Sequence, residues 1–241
     1  MAKYGEYSEI ETAFLCRLCK PGATVVEVGA NIGSHTVPLA RHLTDRGRLF
    51  AFEPQPLLFS LLTANLDANH MPHVEAAELA LGDSSAPLYL PELDYAAEGN
   101  FGGVALSTCP GFTEVRQIRL DDCIDVDVLH LIKIDVEGME QAVLQGAAAL
   151  LRQHRPLLYV ENDREDNSSA LIDHLLGLDY RLRWSTPPLF NPGNFLGQSE
   201  NIFGETVSLN MLCIPAERYS GQMGSGEITA PDDRPWRHGP D

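Results

Sequence analysis

The chain has 241 residues, 44% of them apolar, enough to bury the core of one α/β domain with embellishments. Seventeen Lys and Arg stand against 34 Asp and Glu, a formal charge of −17 with no run of basic residues. That field disfavours nucleic acid and anionic membrane surfaces as partners. The five cysteines are odd in number and scattered, as expected of reduced thiols, and no apolar run approaches the roughly 18 residues of a membrane span. With a polar start that lacks a signal-peptide core, the expected location is the cytoplasm.

Ser8 to Cys19 reads as an amphipathic helix with Ile10, Phe14, Leu15 and Leu18 on one face. Its Cys16-x-x-Cys19 has no second pair or nearby His and reads as helix packing. A strand at Thr24–Val28 meets the turn Gly29-Ala30-Asn31-Ile32-Gly33, and a helix runs from Ser34 to about Leu43. A second strand, Arg48–Phe52, runs into Glu53-Pro54, followed by a helix carrying Leu57, Leu58, Leu61, Leu62 and Leu66. A third strand spans about His73 to Leu81 and ends at Gly82-Asp83. Residues 84–121 hold short β-prone pieces around a Gly-rich loop, Glu98 to Gly103, and predict an inserted antiparallel hairpin.

The fourth strand, Leu129–Ile134, is apolar except for His130 and Lys133, as a strand covered on both faces should be. It ends at Asp135-Val136-Glu137-Gly138, and a helix follows from Met139 to Leu151. Leu157–Val160 is a fifth strand ending at Glu161-Asn162. A helix near Ser168–Leu176 and a strand at Tyr180–Trp184 precede a long loop, 185–205, rich in Pro, Gly, Asn and Phe. A loop of that length is usually functional, and here it predicts a lid. A last strand, about Val207–Ile214, closes the fold, and residues 219–241 read as a mobile tail.

Alternating strands and helices predict a mainly parallel, doubly wound sheet, whose ligands lie outside the carboxyl ends of the strands. All five of the groups expected there are acidic: Glu27, Glu53, Asp83, Asp135 and Glu161. Glu53 is placed to accept hydrogen bonds from a ribose diol. The turn, however, is G-x-x-x-G. Asn31 stands where a dinucleotide motif keeps a glycine for the approach of pyrophosphate, and Glu27 behind it would repel that anion. A ribose without phosphates and with positive charge fits both facts. S-adenosylmethionine answers Glu27 with its ammonium and sulfonium, and offers its carboxylate to the N–H groups from Ser34 to Thr36. Asp83 then faces the adenine amino group.

The stretches VVEVGANIGSHT, AFEPQP, ALGD, LIKIDVEGMEQAVLQGA and PLLYVEN lie between Glu6 and Ile214. Through them the chain resembles FkbM-type S-adenosylmethionine-dependent methyltransferases. The resemblance implies a class I methyltransferase fold, a Rossmann-like sheet of seven strands with the last antiparallel. The methyltransferase domain would span 23–218, after an N-terminal helical segment, 1–22, that contributes to the substrate site. It implies cofactor contacts at Glu27, Gly29, Asn31, Gly33, Glu53 and Asp83, and the same cradle would include Ser34, Thr36, Pro54 and Asp135. Members methylate hydroxyls of sugars, polyketides and other metabolites, so the acceptor expected is a small molecule or glycan.

Methyl transfer to oxygen needs the acceptor aligned and its proton managed. Candidate catalytic residues are Asp135, Glu137, Glu161 and Lys133, with Asp135 or Glu161 as general base. Glu137 has a competing role as a helix cap, and Lys133 as an ion-pair partner. His35 reads as packing beneath the cofactor in preference to a base. A metal-assisted alternative uses Asp135, Glu161 and Asn162, which resemble in part the ligand set of catechol-type O-methyltransferases and would suit Mg²⁺; a metal-free site is the default expectation. Tyr4, Tyr7, Asn100, Asn162, Phe195 and Asn201 are the expected acceptor contacts, an aromatic and amide set suited to stacking on a ring and binding its hydroxyls. N-methylation, a non-catalytic cofactor-binding module and a dinucleotide oxidoreductase are the competing readings. Oligomeric state is not legible, and a homodimer is compatible with everything above.

Overall fold

The computed structural model describes residues 2–97, 99–221 and 226–235. It holds α1 (Glu9–Leu18), β1 (Thr24–Val28), α2 (Thr36–Leu43), β2 (Arg48–Phe52), α3 (Pro56–Ala68), β3 (Val74–Ala77) and β4 (Ala80–Leu81). Next come β5 (Leu88–Leu90), β6 (Thr113–Val115), β7 (Gln117–Ile118), α4 (Leu120–Cys123), β8 (Leu131–Ile134), α5 (Glu140–Gly146) and α6 (Ala148–His154). The chain ends with β9 (Leu157–Glu161), α7 (Glu165–Gly177), β10 (Tyr180–Ser185), β11 (Asn210–Pro215) and β12 (Glu227–Ile228). Two compact units form, residues 21–156 and residues 1–20 with 157–241.

In the first unit, β1 pairs in parallel with β2 and β8, and β2 in parallel with β3. Every residue of β8 is buried, Lys133 included, as a parallel strand covered on both faces requires. On α3 the buried stripe is Leu58, Leu62 and Leu66, spaced four apart as one helix face demands, whereas Leu57 and Leu61 face solvent. The single third strand expected is two. Ala80–Leu81 leaves the sheet to pair with β7, while β5 and β6 form the inserted antiparallel hairpin. The helix expected from Met139 to Leu151 also divides. Asp121 accepts hydrogen bonds from the Ala149 and Leu150 amides and so starts α6 afresh.

In the second unit, β11 runs antiparallel to both β9 and β10. The fold is thus α/β with a mostly parallel sheet and an antiparallel C-terminal strand, as expected. Part of the expected tail is structured instead. β12 pairs with β10, the Asp233 carboxylate accepts from the Thr229 and Ala230 amides, and Arg234 donates to Ser169. Polar composition gave little sign of this, because the segment is held by these hydrogen bonds and by one buried apolar side chain, Ile228. The remainder of that tail, 222–225 and 236–241, lies outside the described residues, as does Glu98 of the Gly-rich loop.

The long loop is latched within its own unit by the N-terminal segment. The Tyr4 hydroxyl donates to the Glu200 carbonyl at 2.8 Å and accepts from the Ile202 amide at 3.0 Å. Both oxygens of the Glu6 carboxylate accept, one from Asn191 Nδ2 at 2.9 Å and one from the Phe195 amide at 3.1 Å. The Tyr4 ring packs on Phe190 and Phe203 with centroids 5.7 Å away in each case. Tyr4 and Glu6 are both buried.

Candidate active site

The turn after β1 is shaped by positive φ at Gly29 (83°), Asn31 (51°) and Gly33 (89°). A Cβ on Gly29 would strike the Asp135 carbonyl, so only glycine lets the ends of β1 and β8 approach this closely. The Gly29 and Ala30 amides both donate to the Phe52 carbonyl, which ties the turn to β2. Asn31 holds the left-handed conformation that asparagine tolerates best after glycine, and its Oδ1 accepts from the Ile32 amide at 2.8 Å. The residue thus has a backbone reason for being asparagine beyond any preference among ligands.

Glu53 follows β2 and is 4% exposed. Its Oε2 accepts from the Asn31 amide at 2.8 Å and its Oε1 from the Gln55 amide at 2.9 Å. Burial raises its pKa above the usual carboxylate value, the two amides pull it back, and Asp135 nearby raises it again. A carboxylate has about four acceptor positions, and these amides occupy one on each oxygen. One position per oxygen remains, the pattern a vicinal diol needs.

Glu27 and Lys133 face each other across β1 and β8, with Lys133 Nζ 3.9 Å from Glu27 and 2.9 Å from Asp135 Oδ2. Glu27 and Lys133 are each 1% exposed, and the Asp135 side chain is 35% exposed. The cation beside Glu27 is therefore the protein's own. Asp135 is the member of this trio that reaches solvent. His35 is buried at the entry to α2, and burial, followed by the Lys133 charge, pushes its imidazole from 6.5 down to about 3. It is neutral at ordinary pH and packs beneath the turn. Thr36, also fully buried, has an Oγ1 with no hydrogen-bond partner among the described residues. A buried hydroxyl in that state, at the first turn of a helix, is donor capacity that the fold itself does not use.

The Gly138 amide donates to Glu140, a buried carboxylate that is not among the candidates above, and Glu137 Oε1 lies against Gly103 of the Gly-rich loop. That loop covers the turn closely, because a Cβ on Gly102 would strike the Asn31 amide group. Gln55 Nε2 holds the loop by donating to the Phe101 carbonyl at 2.7 Å. The Phe101 ring meets Tyr95 at 5.0 Å, and the Tyr95 hydroxyl lies 3.5 Å from Gln55 Oε1. Gln55 and Tyr95 are further residues missed in sequence. The pattern Glu-Pro-Gln-Pro carried the signal for Gln55; nothing local carried it for Tyr95.

Glu27, Gly29, Asn31, Glu53, Asp135 and Lys133 thus come together, with Asn100, Glu137 and Gly103 in the covering layer. Gly33, Ser34 and Thr36 continue from the turn into α2, and Pro54 is half-buried beside Glu53. Asp83 follows β4, which pairs with β7, and its exposed side chain makes no hydrogen bond or ion pair among the described residues. In the other unit, Glu161 ends β9 half-buried, and Asn162 is buried with its amide donating to the Leu209 carbonyl and Nδ2 directed at Met211 Sδ. Asn201 spends its side chain on its own loop, accepting from the Phe203 amide and donating to the Gly204 carbonyl. Tyr7 and Phe195 are exposed. No group of three or more His, Cys, Asp or Glu able to hold a metal ion occurs among the described residues. No helix among them is long and apolar enough to cross a membrane.

Comparison with known proteins places this site in a family. Residues 27–182 match the methyltransferase FkbM domain. Among curated relatives, Methyltransferase 1 of Beauveria bassiana is 29% identical over 51% of this chain and 57% of its own length. The hexuronic acid methyltransferase AglP of Haloferax volcanii is 32% identical over 52% of this chain and 50% of its own. The match thus spans about half the length of each of those relatives. Among solved structures, the FkbM methyltransferase of Methylobacillus flagellatus aligns with TM-score 0.55 at 17% identity, over 81% of this chain and 44% of that one. An O-methyltransferase of Bacillus cereus, solved in complex with SAH, aligns with TM-score 0.54 at 13% identity, over 88% and 83%. At these identities the structural likeness speaks for the class I methyltransferase fold alone, and the match over 27–182 assigns the chain itself: it belongs to the FkbM methyltransferase domain family.

Proposed function

We propose that the chain is an S-adenosylmethionine-dependent O-methyltransferase acting on a hydroxyl of a sugar or other small metabolite. The observation that carries the cofactor is Glu53, whose two amide contacts leave one acceptor position on each oxygen for a ribose diol. The buried Thr36 hydroxyl at the start of α2 supports a carboxylate-bearing ligand at the other end of the cradle. When bound, S-adenosylmethionine supplies a methyl carbon already activated by its sulfonium. The protein has then to position an acceptor oxygen and take its proton. Asp135 is suited to that task, being half-exposed and fixed by the buried Lys133 ammonium 2.9 Å from its Oδ2. Glu137, held under the Gly-rich loop, is suited to orienting the acceptor. A sugar hydroxyl as acceptor draws support from the relative that methylates a hexuronic acid.

The test is transfer of labelled methyl from S-adenosylmethionine to a panel of hydroxyl-bearing glycosides and matched amines. The expected result is label on a hydroxyl acceptor, with Asp135→Asn lowering kcat about 100-fold or more without abolishing S-adenosylhomocysteine binding. Transfer only to amines, or an undiminished rate in Asp135→Asn, would refute the assignment.

A further inference from the structure

Gln55 departs from a local rule. It precedes α3 as the helix N-cap, with extended backbone at φ −81° and ψ 120°. That position favours Ser, Thr, Asp or Asn, whose short side chains accept from the first amides of the helix. Glutamine is a poor cap, and here its side chain makes no capping hydrogen bond; Pro56 at the first helical position removes one amide that would need a partner. The Gln55 side chain is nevertheless buried. A buried amide has to spend its hydrogen bonds somewhere, and this one spends them away from its own helix.

The backbone amide of Gln55 donates to Glu53 Oε1 at 2.9 Å, its Nε2 donates to the Phe101 carbonyl at 2.7 Å, and its Oε1 lies 3.5 Å from the Tyr95 hydroxyl. The Tyr95 ring packs on Phe101, so backbone and ring of Phe101 are tied to one cluster. Past Phe101, Gly102 rests on the Asn31 side-chain amide and Gly103 on Glu137 Oε1. Gln55, Asn31 and Glu137 follow β2, β1 and β8, three neighbouring parallel strands. Phe101–Gly103 therefore lies across the carboxyl ends of all three. The two amides that hold Glu53 belong to Asn31 and Gln55, the same two residues that the loop touches. A nucleoside whose ribose engages Glu53 has that loop as its neighbour.

We infer that Gln55 is a positioning residue for the cofactor: its amide fixes Glu53, and its side chain holds the Gly-rich loop against the ribose end of the cradle, so that the loop slows release of the bound nucleoside. This rests on the methyltransferase reading and adds to it how the cofactor is retained. Opening the loop breaks the hydrogen bond between Gln55 and Phe101 and strips a buried amide of its partner, a cost that falls on release. Loss of that bond should therefore show in the dissociation rate more than in the association rate.

The experiment follows S-adenosylhomocysteine binding to the immobilised full chain by surface plasmon resonance. Gln55→Met keeps the length of the side chain and the backbone amide to Glu53, and removes the donor to Phe101. The expected result is dissociation about fivefold faster or more, with the association rate within about twofold. Phe101→Ala, at a half-buried loop position, should speed dissociation about threefold. The double variant should be no faster than Gln55→Met alone, because both changes release the same loop. A merely structural role for Gln55 would lower the melting temperature and the fraction of chain that binds, and leave dissociation as it was; unchanged dissociation in Gln55→Met overturns the proposal. So do effects that multiply in the double variant, which would show Gln55 acting apart from the loop. Should Gln55→Met not fold, Phe101→Ala decides alone, and unchanged dissociation there overturns the proposal. Failure of the unsubstituted chain to bind S-adenosylhomocysteine would overturn the methyltransferase reading first, and this inference with it.

Discussion

The turn after β1 and the long loop 185–205 are both irregular backbone rich in glycine and asparagine, yet they spend their polar groups differently. In the loop, Asn191, Asn194 and Asn201 close hydrogen bonds within the loop itself, and Tyr4 and Glu6 accept from the Ile202 and Phe195 amides and the Asn191 side chain. At the turn, Asn31 satisfies its own backbone, but Glu53 retains acceptor capacity and Thr36 retains a buried hydroxyl. The difference is what supports the binding role proposed for the turn. Composition is alike in both; unspent hydrogen-bonding capacity, held rigid and out of water, distinguishes the turn.

Four changes probe that contrast, beginning with the largest effect. His35 stays neutral in the folded chain down to about pH 3, whereas in the unfolded chain it gains a proton below about 6.5. Between those values the unfolded state binds more protons, so stability falls as pH drops through the window and His35 contributes no slope above it. The expected loss is on the order of several kcal/mol. Urea midpoints measured against pH should show a shallower fall in His35→Asn; an unchanged slope would show that His35 is not the group responsible. Next, Gly29→Ala forces a Cβ onto the Asp135 carbonyl at a positive φ and should cost about 3 kcal/mol or more in denaturant unfolding.

Glu6→Ala attacks the other side of the comparison. It removes two hydrogen bonds from the long loop, about 2 kcal/mol of local stability, and should speed proteolytic cleavage between residues 189 and 203. Affinity for S-adenosylhomocysteine should not change. If it drops, the loop does more than hold itself. The smallest effect is Thr36→Val. Removing an unsatisfied buried hydroxyl should leave the ligand-free protein as stable or up to about 1 kcal/mol more so, while weakening S-adenosylhomocysteine about three- to tenfold. Loss of stability with unchanged affinity would assign that hydroxyl to the fold.

Much of this was legible in the chain. β1 and β2 read directly, because apolar runs bounded by glycine and acidic turns leave one assignment. Glu53 and the turn residues follow from strand order alone. What escaped depends on contacts distant in sequence. Ala80–Leu81 reads as a continuation of its strand, and only pairing with Gln117–Ile118 draws it away. The division between α5 and α6 comes from Asp121, and the latch on the long loop from Glu6, more than 180 residues away. Asn31 and Glu27 show a further limit. Both looked like choices made for the ligand, and both have reasons inside the protein, a left-handed backbone and a buried lysine.

The central claim is that Glu53 is reserved for the ribose of a phosphate-free cofactor. Calorimetric titration of the intact chain and of Glu53→Ala with S-adenosylhomocysteine and with NAD tests it most directly, thermal unfolding confirming that the variant is folded. The account predicts submillimolar or tighter binding of S-adenosylhomocysteine, no binding of NAD, and a loss of about 100-fold or more in Glu53→Ala, roughly 3 kcal/mol. Binding of NAD, or S-adenosylhomocysteine affinity that survives the loss of Glu53, would contradict it.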